Sequence, residues 1–321
     1  MESASVTAPT AGSRTRVLGT VMALLGLPVV LALIERVSWN VRNRNTGSIV
    51  SSGRQREYLL YVPKSYDRGK PTPLVISMHG GGMWGATQRD ISGWNRVADE
   101  HGFLVVYPSG IWLARHRSWR SGHGADHMRD VRFLSELIDT LAASYNIDST
   151  RVYADGISNG GGMAFKLSCE LSDRIAAVGM VAAAYSLPWS WCMDSRPVPM
   201  IAFHGTSDAL TPYHGGPSPV FPDSFVLPSI PTWTSNWARR NQCGPNPVES
   251  VVATDVTRLE YTSCADDAAV VLYTVQGGGH TWPGGKPMPE GLTGFTSNGV
   301  DATSQMWAFF REHRLPPHGP R

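Results

Sequence analysis

Residues 156–160 read Gly-Ile-Ser-Asn-Gly, a serine with glycine two positions away on either side. That pattern suits a sharp strand-to-helix turn that holds a serine hydroxyl out as a nucleophile. The glycines are required where neighbouring backbone closes in too tightly for a Cβ. A serine hydroxyl attacks poorly until a base takes its proton, and the base needs a carboxylate to orient it. Downstream, Asp208 lies in the segment FHGTSD and His280 in QGGGHTWPGG. Ser158, Asp208 and His280 are therefore the candidate nucleophile, acid and base. Asp194, Asp255, Asp266 and Asp267 compete for the acid role but sit in segments that do not end an apolar strand. Among the histidines, His204 precedes Gly205 as a strand terminus, and His214 and His313 read as exposed.

Attack on a carbonyl carbon builds an oxyanion, which needs backbone N–H groups aimed at it beforehand. One donor should be Asn159, the residue after the nucleophile. The second should come from His79-Gly80-Gly81-Gly82, a glycine-rich loop after an apolar strand, with Gly81 the expected donor to within one residue. The helix that starts at Asn159 adds its positive end to the same place. Tryptophan is abundant, with 11 copies, and Trp84, Trp119 and Trp282 are the expected walls of a substrate pocket. Trp189 and Trp191 are placed on a loop near it. The histidines lack the HExxH spacing of a metal centre, and no phosphate-binding glycine pattern precedes a helix, so neither metal nor nucleotide cofactor is expected.

These residues need a scaffold that brings distant loops to one rim. Short apolar runs at 72–80, 103–110, 175–185, 198–205 and 269–275 have the pattern of strands covered on both faces. Segments 56–63 and 151–156 are further strands. Apolar residues Val131, Leu134, Leu137, Ile138 and Leu141 recur at helical spacing, so 126–145 is an amphipathic helix, with others at 232–240 and 302–314. Strands alternating with helices imply an α/β fold with a mostly parallel central sheet and helices on both faces. Asp208 and His280 then fall just past strand ends, where open α/β sheets bind ligands. The Pro-rich connection around 210–230 is expected to be irregular.

The 321 residues carry a formal net charge of +2, with 17% charged and 42% hydrophobic residues. That excludes a disordered chain and argues against a nucleic-acid partner, whose footprint would be strongly basic. Residues 17–34 contain no charge, follow Arg14 and Arg16, and just reach the length of a bilayer-crossing helix. No small-x-small cleavage site follows, so 17–36 reads as an uncleaved signal anchor in preference to a cleaved signal peptide. The expected layout is a tail 1–16, this N-terminal hydrophobic helix, a polar linker 37–54, one catalytic domain 55–314 and a tail 315–321. The four cysteines form two local pairs in sequence, Cys169 with Cys192 and Cys243 with Cys264. Four cysteines allow three connectivities, which spacing alone leaves open. Two disulfides in an oxidising compartment is the economical reading, and it places the domain outside the cytoplasm, anchored or secreted.

The segments PLVISMHGGG (73–82), RVYADGISNGGGMA (151–164), FHGTSD (203–208) and GGGHTWPGG (277–285), with Asp130-Val131 and Phe133-Leu134, resemble a known family. They are similar to the polyhydroxybutyrate depolymerase and feruloyl/acetylxylan esterase group of α/β-hydrolases, carbohydrate esterase family 1 in the broad sense. The resemblance spans about residues 50–314. It implies a secreted serine esterase acting on a polyester or on feruloyl or acetyl esters of polysaccharide. It carries Ser158, Asp208 and His280 as nucleophile, acid and base, and it supports the disulfides. Members often have a Trp-Asn-x-Gly segment with further cysteines where this chain has Arg117-Ser118-Trp119-Arg120-Ser121-Gly122. A serine peptidase or acyltransferase on the same turn, or an inactive polymer-binding scaffold, are the rival readings.

Overall fold

The computed structural model describes residues 45–113, 116–122, 126–184, 192, 194–220 and 226–316. The hydrophobic run 17–34, the chain around it up to residue 44, and Trp189 and Trp191 lie outside the described residues. Among the described residues no helix is long and apolar enough to cross a membrane.

In chain order the strands are β1 (Gly47–Ser51), β2 (Arg54–Tyr61), β3 (Thr72–Met78), β4 (Leu104–Pro108), β5 (Ile111–Leu113), β6 (His116–Ser118) and β7 (Ile147–Ile157). They continue as β8 (Ala177–Val181), β9 (Met200–Gly205), β10 (Gly216–Pro217), β11 (Val226–Leu227), β12 (Val248–Ala253), β13 (Val256–Tyr261) and β14 (Val270–Val275). The helices are α1 (Gly85–Ser92), α2 (Trp94–His101), α3 (Arg129–Ser144), α4 (Asn159–Glu170), α5 (Ile230–Arg240), α6 (Glu290–Thr293) and α7 (Ala302–Phe310). The main sheet runs β1-β2-β4-β3-β7-β8-β9-β14-β13-β12. Its middle, from β4 to β14, is parallel, and hairpins at both ends make the flanks antiparallel.

The parallel strands are apolar along their whole length because both faces are covered. On β3, Leu74, Ile76 and Met78 point into a core with Leu134 and Leu137 of α3, Met163 of α4, and Trp233 and Trp237 of α5. Val75 points the other way, into a second core with Ile91 of α1, Trp94 of α2, and Met306 and Phe310 of α7. This alternation is the period-two geometry of a strand. Each large side chain buried here contributes about 1.5–3 kcal/mol. Two helix starts are capped as their residues dictate. Ser229 accepts from the Thr232 N–H before α5, and Asp301 accepts from the Ser304 N–H before α7.

The fold differs from the sequence reading in several places. The expected linker 37–54 includes β1, which pairs antiparallel with β2, so the domain begins before residue 55. Ile49 packs on the first core, which is why this polar-looking stretch becomes a strand. The expected tail 315–321 contributes Leu315, buried in the second core and bonded through its N–H to Thr150 O. Within the irregular connection, Gly216 and Pro217 pair with Val226 and Leu227 as a short ribbon. The cysteines pair as Cys169–Cys192 and Cys243–Cys264. Closing loops of this size is worth about 3 kcal/mol each.

Candidate active site

Ser158 stands between β7 and α4 with φ 56° and ψ −121°. A non-glycine residue in that region costs on the order of 1–3 kcal/mol, so the surroundings must hold it. Its N–H donates to Val181 O on β8, and its carbonyl accepts from the Gly162 N–H, both at 2.9 Å. The two flanking glycines are sterically compelled. A Cβ on Gly156 would lie 2.4 Å from the Gly160 carbonyl carbon, and one on Gly160 would lie 2.2 Å from Met78 O.

Asp208 and His280 meet from neighbouring strands. The loop after β9 and the loop after β14 are tied by Ser207 N–H to Gly278 O at 2.9 Å, with Gly205 packed so closely that a Cβ would meet Gly278 O at 2.1 Å. His280 Nδ1 contacts Asp208 Oδ2 at 2.8 Å and Oδ1 at 3.1 Å. Because the carboxylate only accepts, Nδ1 carries the proton and Nε2 is left for the cavity side. Asp208 is further held by the Leu210 and Thr211 N–H groups at 2.9 and 2.7 Å, both on Oδ1. His204 is fully buried beside it, with Nε2 3.4 Å from Oδ2 and donating to Thr211 O at 2.8 Å. Burial lowers the His204 pKa, so this second imidazole stays neutral next to the carboxylate. His214 is exposed as expected, whereas His313 is half-buried, its Nδ1 bonded to Phe309 O at 2.8 Å.

Ser158 and His280 line the same cavity, of about 440 Å³, together with Asn159 and Gly80, Gly81 and Gly82. No hydrogen bond joins the Ser158 hydroxyl to the His280 ring among the described residues. Its polar lining includes His116, Ser118 and Ser121, and its apolar lining includes Met83, Ala183, Ala184, Leu210 and Val220. A volume of this order suits a small organic ligand.

On the glycine loop, His79 fixes the peptide planes. The Gly110 N–H donates to His79 Nε2 at 2.8 Å, so that nitrogen is unprotonated and Nδ1–H donates to Gly80 O at 2.7 Å. Burial lowers the His79 pKa to about 4, which keeps this tautomer neutral. In a trans peptide the C=O and N–H point in opposite directions. With Gly80 O turned to the ring, the Gly81 N–H points away from it, while the Gly82 N–H is taken by Arg117 O at 2.8 Å.

The expected tryptophan walls are not walls. Trp119 is 2% exposed and Trp282 is 1% exposed; their indole N–H groups bond to His79 O and Thr303 Oγ1, both at 2.9 Å. Trp84 is half-buried against the second core and does not line the cavity. Large flat side chains with an N–H to satisfy serve as core here, which is their commoner use. Ser118 and Ser121 of the 116–121 segment line the cavity instead.

Sequence reasoning also missed what holds that segment. Lys166 is buried in α4 and donates to the carbonyls of Arg120, Gly122 and His127 at 3.1, 2.9 and 2.6 Å. Asp130 accepts from the Arg120 N–H at 2.7 Å and pairs with buried Arg56, also at 2.7 Å. A lysine inside the apolar run of α4 was the available signal, since a buried ammonium demands acceptors. Among the described residues no group of three or more His, Cys, Asp or Glu side chains is arranged to hold a metal ion.

An α/β-hydrolase is thus defined by the sheet order and by a strained serine facing a carboxylate-bound histidine across one cavity. An acetyl xylan esterase from Aspergillus awamori shares this fold, with a TM-score of 0.56 at 16% identity, covering 73% of this chain and 93% of that one. The family model described as Esterase PHB depolymerase matches residues 56–186. Feruloyl esterase B of Piromyces equi is 29% identical over 239 residues, 72% of this chain, and the chain spans 44% of that protein. Feruloyl esterase D of Neurospora crassa is 28% identical over 254 residues, covering 75% of this chain and 79% of that protein. Over these residues the chain is similar to the polyhydroxybutyrate depolymerase and feruloyl esterase-like proteins, and these similarities support a carboxylic ester hydrolase.

Proposed function

We propose that this chain is an extracytoplasmic serine esterase cleaving feruloyl or acetyl esters of polysaccharide, or a polyester, through an acyl-enzyme. Ser158 Oγ attacks the ester carbonyl as His280 Nε2 takes its proton. The C–O bond to the alcohol breaks, and the imidazolium gives its proton to the leaving alkoxide. Water, deprotonated by the same imidazole, then attacks the acyl carbonyl and releases the acid and Ser158. Asp208 holds the Nδ1–H tautomer and stabilises the imidazolium. The N–H groups of Asn159 and Gly81 receive the oxyanion. The hydrogen bond between Ser158 and His280 forms when substrate is seated, as catalytic hydrogen bonds often close only in the substrate complex.

The observation that carries this reading is the His280–Asp208 bond of 2.8 Å at the edge of the cavity that Ser158 lines. The mixed polar and apolar lining suits an acyl or phenolic group that carries a hydroxyl. The two disulfides support an oxidising compartment. Residues 17–36 would serve as a signal anchor, which would be the membrane contact, or be cleaved from a secreted form. The charge balance supports no nucleic-acid partner.

Ser158→Ala should cut kcat on p-nitrophenyl butyrate by about 10⁴-fold or more. A fluorophosphonate probe should label the parent and leave this variant unlabelled. A variant that kept the parental rate would refute the assignment. Acid release from feruloyl and acetyl esters, with no amide cleavage and no transfer to added alcohols, would separate an esterase from a peptidase or acyltransferase.

A further inference from the structure

A chain of hydrogen bonds runs from the nucleophile turn to the glycine loop. The Trp119 N–H donates to Asn159 Oδ1 at 2.7 Å, and Asn159 Nδ2 donates to Trp119 O at 3.2 Å and to Ser121 Oγ at 3.0 Å. From there the Trp119 indole N–H donates to His79 O at 2.9 Å, with its ring packed on the His79 ring at 5.1 Å. The His79 ring in turn fixes Gly80 O at 2.7 Å. Two successive peptide planes of the loop, 79–80 and 80–81, therefore have their carbonyl oxygens pinned from one side. A pinned carbonyl fixes the N–H of the same plane in the opposite direction.

We propose that the side chains of Asn159 and Trp119 are positioning residues that hold the two oxyanion donors in mutual register. The proposal rests on the reading of Ser158 as nucleophile. Asn159 contributes its backbone N–H as one donor, and through its amide it sets the distance to the other donor by way of Trp119 and His79. A loop of three consecutive glycines has no side chains with which to hold its own planes. Preorganisation is what makes such donors effective, because no reorientation is then left for the moment of reaction. The chain of bonds also accounts for Trp119 being buried: its contacts are spent on the loop rather than on substrate.

Removing a brace that acts only through the oxyanion should lower kcat and leave ground-state binding alone. Asn159→Ala should lower kcat about 10- to 100-fold with KM within about twofold, since loss of a whole donor costs about 10²–10³. Trp119→Phe keeps the ring on His79 but removes the indole N–H, and should lower kcat about tenfold. Affinity for a phenylboronic acid, which forms a tetrahedral adduct on serine, should fall in both variants by the factor seen in kcat/KM. Affinity for the product acid should not change. Trp119→Phe decides the matter if Asn159→Ala fails to fold. Folded variants with parental kcat and parental boronate affinity would overturn the proposal, as would losses confined to KM. If fluorophosphonate fails to label the parent protein, the nucleophile assignment itself falls; labelling with unaffected variants strikes the brace alone.

Discussion

On the nucleophile side of the cavity, backbone packs on backbone: a Cβ at Gly160 would come within 2.2 Å of Met78 O and 2.6 Å of His79 O. On the facing side, segment 118–122 is suspended on polar side chains, Asn159, Asp130 and Lys166, that reach it from α3 and α4. The first wall is held by repulsion, which falls away steeply with distance and permits one residue type. The second is held by hydrogen bonds, which fix position but leave the residues facing substrate open to change. Two parts of one cavity are thus held in place by different physics.

Substitutions at the two walls should differ in size and in kind. Gly160→Ala has nowhere to put its methyl group except by moving two backbone carbonyls. It should destabilise the domain by about 3 kcal/mol or more and bring esterase activity to background. Thermal melting and the p-nitrophenyl butyrate assay would show it, and a stable, active variant would break the steric account of this wall. Lys166→Met keeps the aliphatic stem but abandons three part-buried carbonyls, and an unsatisfied buried acceptor costs roughly 1–3 kcal/mol. Water entering the gap limits the total, so a loss of about 2 kcal/mol is expected. Activity should survive, with the ratio of kcat/KM for feruloyl over acetyl esters shifted severalfold. An unchanged ratio would mean that the suspended segment does not set selectivity.

A pH-dependent effect concerns β7, the strand that leads into the nucleophile turn. Asp155 on β7 is fully buried, accepts from Ser77 Oγ at 2.7 Å, and is pushed by burial from 3.8 to about 8. Over that range the native state keeps a proton that the unfolded chain has released, so stability falls as pH rises. Asp155→Asn does not titrate. Its melting temperature relative to the parent should therefore climb between pH 5 and pH 8. A difference that stays constant over that interval would show that Asp155 is not the group responsible.

Legibility followed the same division. The glycines around Ser158 and in 80–82 announce the first wall because steric demand is local and names a residue type. Asp208 and His280 were placed by their position after apolar strands, and the sheet brings them to 2.8 Å. Helices α1 and α2 went unassigned although Gly93 and Gly102, at φ 67° and 73°, close each in the left-handed conformation that commonly ends a helix. Trp119 and Trp282 were misread as substrate walls because an indole's burial depends on what packs around it. Lys166 lies 46 residues from Arg120, a partner that no local pattern could supply.

By itself, the sequence determined where the chain turns sharply, which strands are covered on both faces, and which side chains can exchange protons. Those follow from sterics and hydrophobic periodicity, which act over a few residues. Only the tertiary structure decided which cysteines pair, which histidine bonds Asp208 with its second nitrogen free, and which side chains face the substrate cavity. Each of these depends on directions between groups far apart in sequence, and direction is fixed only once the sheet has closed its layers.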